Sequence, residues 1–177
     1  ESLQQWNLTH CCSDEMEPDW SDWDRIAYQS NMHGNWDIMW KDAWGPEAQG
    51  GTSEGMVIAR SPMDETNPAW GRFNFAHMIA YVRADQSGKD VMAYDTERRE
   101  EFRTPGAGPG NQTIPFWFTG QKIFPDAGPG PVIIYQPDDH GLNWGAIRNQ
   151  SGGALIKNQN QSPRRIPIKS AAMGMSE

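Results

Sequence analysis

The chain has no apolar run of the roughly 18 residues that a membrane-spanning helix requires, so no spanning helix is expected. Cysteine is nearly missing. Its two copies, Cys11 and Cys12, are neighbours, and the short loop between neighbours strains a bond between them. With only His10 beside them they do not supply the ligand set of a zinc site, so no metal is expected. Positive charge is in deficit: 15 Lys and Arg stand against 23 Asp and Glu, a net charge of −8, which excludes the basic face that nucleic acid needs. No Gly-x-Ser-x-Gly, P-loop or Gly-x-Gly-x-x-Gly motif follows a strand, and no catalytic residue or cofactor is assigned. Long windows free of Gly and Pro are also scarce. The 18 Gly and 13 Pro are spread along the chain, which reads as many turns and few helices.

What is present is aromatic and alternating. After Gly34, Trp36, Ile38 and Trp40 fall on one side of an extended run and Asp37, Met39 and Lys41 on the other, the period of a strand with one apolar face. Residues 73–82 alternate too: Phe73, Phe75, His77, Ile79 and Tyr81 against Asn74, Ala76, Met78, Ala80 and Val82. Ser87-Gly88-Lys89 turns this strand back into 90–94 as a hairpin. Shorter strands are expected at 55–60, 113–118, 121–124, 132–135, 142–149 and 154–157, with Pro115 placing its strand at an edge or a bulge. Ser21 is expected to cap a short helix reaching Tyr28. Ser61 to Pro68 reads as a loop, and no internal repeat is read. The expectation is an all-β domain, a single antiparallel up-and-down barrel of about eight strands, with a jelly-roll or other β-sandwich as the alternative. Residues 1–24 form an acidic, Trp-containing arm, 25–158 the barrel and 159–177 a polar tail.

Gly34-Asn35-Trp36 resembles the Gly-x-Trp signature that opens the first barrel strand of lipocalins. Further on, Phe118-Thr119-Gly120-Gln121-Lys122-Ile123-Phe124, the Pro/Asp/Gly turn 125–131, Val132-Ile133-Ile134-Tyr135, Asp138-Asp139-His140 and Trp144 are similar in order to the later strands of the violaxanthin de-epoxidase lipocalin domain. The resemblance covers about a third of the chain. Asp138-Asp139 only approximates the lipocalin Thr-Asp-Tyr turn, and the Arg that packs across the first Trp is Arg148 or Arg164. Two cysteines do not reproduce the Cys-rich segment of the de-epoxidases, so their activity is not carried over. The resemblance implies a barrel closed around Trp36 that binds a small hydrophobic molecule.

In such a barrel Trp36 forms the floor, and Trp40, Phe73, Phe75, Tyr81, Tyr135 and Trp144 line a cavity for a pigment, isoprenoid or lipid. The same residues also suit a plain core. His33, His77 and His140 lie in separate segments without metal spacing, and Asp37, Asp42, Asp138 and Asp139 read as strand and turn residues before paired acid–base groups. Asn7, Asn111 and Asn149 head Asn-x-Ser/Thr acceptors, which together with the start at Glu1 point to a secreted, extracytosolic glycoprotein, with an organelle lumen such as the thylakoid as the alternative.

A second function competes with ligand binding. Trp20, Trp23 and Trp44 stand in polar surroundings, where indoles mark an interface or stack on sugar rings. The second expectation is thus a structural or interaction subunit of a larger assembly, or a glycan-binding sandwich. Charge follows the same division. Asp14, Glu15, Glu17, Asp19, Asp22 and Asp24 crowd the N-terminal arm, which suits a basic protein partner, and Arg164, Arg165 and Lys169 sit near the other end.

Overall fold

A computed structural model describes residues 7–44, 55–86, 88–104, 111–118, 132–137 and 143–146. These are all-β, with antiparallel pairing throughout. The strands are β1 (Glu15–Trp20), β2 (Arg25–Ser30), β3 (Asp37–Asp42), β4 (Met56–Ala59), β5 (Asp64–Trp70), β6 (Met78–Asp85), β7 (Gly88–Asp95), β8 (Glu100–Arg103), β9 (Gln112–Phe118), β10 (Val132–Pro137) and β11 (Asn143–Ala146). They pair as three sheets, β1-β2-β3-β4, β5-β6-β7-β8 and β11-β10-β9. Among the described residues no strand pairs across sheets, so the expected closure of one barrel is not found.

The middle sheet is covered on both faces. Ile79, Tyr81 and Met92 join Trp70 in one buried cluster with Ala27, Ile38, Ile58 and Ala59 of the first sheet. Met78, Ala80, Val82, Val91 and Ala93, on the opposite face, pack with Trp117 and Ile133 of the third. A single barrel has one interior, whereas a sheet buried on both faces belongs to a stack. The alternation read from residue 78 onward is correct, with large side chains toward the first sheet and mostly smaller ones toward the third.

A repeat, unseen in the linear sequence, becomes visible once the register is known. The first strand of each sheet carries Pro-x-Trp at its end or one residue before it: Pro18-Asp19-Trp20, Pro68-Ala69-Trp70 and Pro115-Phe116-Trp117, roughly 50 residues apart. In each sheet that Trp stands opposite an Ile of the second strand: Trp20 and Ile26, Trp70 and Ile79, Trp117 and Ile133. Each Ile begins an Ile-x-Tyr triplet, and Tyr28 and Tyr81 face Met39 and Met92 within Asp-Ile-Met and Asp-Val-Met. The register slips at each Pro, and the residues before the first two, Glu17 and Asn67, take the left-handed backbone with φ of 52° and 54°. Proline has no N–H to give the ladder, so a bulge is where a strand can hold one. The expected edge or bulge at Pro115 is both: β9 ends the sheet order and breaks register there.

Several local expectations are corrected. Residues 21–28 do not form a helix. Ser21 holds a tight turn, its hydroxyl accepting the N–H groups of Trp23 and Arg25, and β2 follows. Ser61–Pro68 is not all loop, because β5 starts at Asp64. Phe73–Phe75 is a 3-10 turn, so Phe73 and Phe75 do not continue the face of Tyr81. Gly71 allows that turn, since a Cβ there would meet the Phe75 carbonyl at 2.0 Å. β3 begins after Trp36 and has both faces covered: Asp37, Ile38, Met39 and Lys41 are all buried. The strands expected at 121–124 and 154–157 lie outside the described residues.

Candidate interaction site

The exposed aromatic residues gather where β1, β3 and β5 end and β2 begins. The Ser21 turn places Trp23 beside Arg25, whose guanidinium lies 4.5 Å over the Trp40 ring and 5.8 Å from that of Trp23. Asp42 holds the same guanidinium through Nε at 3.3 Å. Trp20 meets Trp44 edge-on, with ring centroids 6.3 Å apart and planes at 62°. Arg72 ties this corner to the second sheet. It donates to the Trp20 carbonyl and to Asp19 at 3.0 Å, and stands 3.8 Å from Asp22. Asp19 also accepts the Trp70 N–H at 2.6 Å, and Asp22 accepts the Phe73 N–H at 2.6 Å.

The result is a rigid rim around apolar rings that point to solvent. Trp20 is 44% exposed, Trp23 47%, Trp44 66% and Phe73 72%. Side chains this large at such exposure are a marked departure for a folded surface, and such patches mark interfaces. Carboxylates dominate the rim. Asp19, Asp22 and Asp42 share Arg25 and Arg72, while Glu17 and Asp24 are exposed and make no ion pair among the described residues.

At the other end of the first two sheets the polar groups face inward. Glu65 is fully buried; one oxygen accepts from Ser61 at 2.5 Å and from Arg83 at 2.9 Å, and the other has no partner among the described residues. Arg83 also clamps Glu101 through both terminal nitrogens, at 2.7 and 2.5 Å, and the Tyr81 hydroxyl donates to the same carboxylate. Burial opposes ionisation of Glu101, but hydrogen bonds from Arg83 and Tyr81 outweigh it and hold its pKa below the ordinary value. Burial and that carboxylate together push the Tyr81 phenol well above its ordinary range. This is an ionic lock between strands that runs from buried Glu65 through Arg83 to Glu101 at the surface.

The residues expected to line one cavity are dispersed. Trp36 is partly buried, and it is its backbone that bonds, to Asp64 at 3.1 Å and from Glu65 at 2.7 Å. Trp40 and Tyr81 lie between the first two sheets, and Trp40 packs edge-on to Trp70. Phe75 packs with the cluster between the second and third sheets, and Phe73 is outside both. Tyr135 is in β10 and Trp144 in β11, opposite Ile134. Asn7 and Asn111 are exposed, while Asn149, Asp138, Asp139 and His140 lie outside the described residues. His33 pairs with buried Asp37 at 2.8 Å. No three His, Cys, Asp or Glu side chains converge on a metal position among the described residues, and none of their helices could cross a membrane.

Sequence reading singled out Trp20, Trp23 and Trp44 and counted Asp19 among the acids of the arm, but it missed Arg25 and Arg72, which position the rings. The Pro-x-Trp repeat is the signal that could have found this corner, because two of its three indoles are buried between sheets and Trp20 is not. No family model matches the chain, and no curated protein does. Among solved structures, a TolB-like protein from Agrobacterium tumefaciens is similar at 15% identity and a TM-score of 0.45 over 76% of this chain. The chain spans 46% of that protein's length.

Proposed function

We propose that the chain is an interaction module: a propeller-like stack of antiparallel meanders that presents an acid-rimmed aromatic corner to a protein partner in a larger assembly. One observation carries the reading, the outward display of Trp20, Trp23, Trp44 and Phe73 on a framework that Arg25, Arg72 and Asp19 hold rigid. Trp and Arg are the residues that concentrate binding energy at protein interfaces. The propeller-like part rests on the repeated contacts of first strands, with β5 packed on β1, β2 and β3, and β9 on β5, β6 and β7. Each sheet thus sits on its predecessor in the same way, as consecutive blades do.

Native mass spectrometry of the protein from its natural source tests this. The expected result is a mass above that of the single 19.9 kDa chain, reduced by the double substitution Trp23→Ala and Trp44→Ala. A bare monomer, or a monomer carrying a small apolar ligand, would overturn the reading.

A further inference from the structure

The aromatic corner has a complement within this chain. Its rim carries Glu17, Asp19, Asp22, Asp24 and Asp42 against Arg25 and Arg72, and Glu17 and Asp24 are not neutralised among the described residues. The segment Pro163-Arg164-Arg165-Ile166-Pro167-Ile168-Lys169 carries three positive charges, two prolines and no acid. We propose that this segment docks in cis on the aromatic corner, as a basic, proline-containing peptide laid against the exposed faces of Trp20 and Trp44; the proposal rests on the interaction-module reading above.

The chemistry fits on two counts. Trp20 and Trp44 pack edge to face and are both largely exposed, so together they offer an angled apolar surface, and aromatic surfaces are where proline-containing segments pack, because a proline ring is flat, apolar and already restricted. Near the rings, Arg164, Arg165 and Lys169 find unneutralised Asp24, between Trp23 and Arg25, and Glu17, three residues before Trp20 on β1, and a guanidinium there can lie over an exposed indole face. The corner's own Arg25 already sits this way on Trp40, so the surface supports the arrangement.

The tether is long enough. From Ala146, the end of β11, to Pro163 the chain can extend roughly 55 Å. Two sheet-to-sheet steps of roughly 10 Å each and a strand length of about 20 Å separate the third sheet from the corner. Docking in this way covers apolar area that is otherwise exposed, and it leaves a partner of the same chemistry to compete for the site.

Zero-length carbodiimide coupling of the full chain tests this, because it joins Lys169 only to a carboxylate in direct contact. The expected result is a Lys169 link to Asp24 or a neighbouring rim acid within one chain. The link should fall on the order of fivefold in Arg164→Glu/Arg165→Glu and in 1 M salt, with quenching of the exposed indoles by acrylamide rising in parallel. Absence of the link, or its survival unchanged in the charge-reversed variant, overturns the proposal. So does a link found only between isotopically light and heavy chains, which would assign the site to a second copy. If the native assembly persists without the intrachain link, this proposal falls and the interaction module stands.

Discussion

Trp117 donates its indole N–H to the carbonyl of Ala69 at 2.8 Å, across the boundary between the second and third sheets. Ala69 is the middle residue of the preceding Pro-x-Trp triplet, so the bond joins one copy of the repeat to the next. Trp70, the equivalent residue one sheet earlier, has no partner for its buried indole nitrogen among the described residues. Two indoles in equivalent positions therefore differ in one hydrogen bond.

Trp117→Phe and Trp70→Phe should separate on that difference. Trp117→Phe removes a made bond, a cost of about 1–3 kcal/mol. Trp70→Phe removes a donor that is already unsatisfied, so it should cost less despite deeper burial. Chemical denaturation of both variants decides it, and equal losses would show that the Trp117 bond contributes nothing of its own.

Trp70 is 1% exposed, so Trp70→Ala should cost about 3–5 kcal/mol, the range for a deleted core aromatic. Trp36, expected from the sequence to be the keystone, is only partly buried and bonds through its backbone, which alanine retains. Trp36→Ala should cost less than about 2 kcal/mol. A larger loss at Trp36 than at Trp70 would restore the sequence expectation.

Arg83 lies between a fully buried Glu65 and the half-exposed Glu101. Arg83→Leu leaves the Glu65 charge without its cation and should destabilise the fold by about 3–5 kcal/mol. Glu65→Leu added to Arg83→Leu should recover part of that loss, because the orphaned charge is gone. Unfolding free energies that simply add would refute the coupling.

Glu101 gives a pH dependence of known sign. Its folded pKa is lowered from the ordinary 4.5, so the folded state holds the charged form more strongly than the unfolded chain does. The contribution is complete above pH 4.5 and is lost as pH falls through the lower folded value. Tyr81 behaves in the opposite sense. Its raised folded pKa gives a contribution present below the ordinary value of 10.0 and lost as pH climbs beyond it. Glu101→Gln should flatten the acid limb of a stability profile, and Tyr81→Phe the alkaline one. Unchanged limbs in the variants would assign the dependence to other groups.

The antiparallel all-β class, the 78–82 part of the strand expected over 73–82, its hairpin partner and the irregularity at Pro115 follow from the sequence, because alternation, tight-turn glycine and proline's missing N–H act between neighbours. The exposure of Trp20 and Trp23 follows too, since Asp19, Asp22 and Asp24 beside them favour water. What only the tertiary structure decided is how the strands are shared among sheets. Alternating apolar residues show that a face is buried, and for Tyr81 or Trp40 they are the same whether that face meets a barrel lumen or another sheet. The Pro-x-Trp repeat was present in the letters all along, but at roughly 50-residue spacing and with variable loops between it needed the Trp–Ile register to stand out. That register assigns Trp70 and Trp117 to inter-sheet layers and leaves Trp20 facing solvent beside Trp44, because residue 20 belongs to the first described sheet and no earlier sheet is described to cover it.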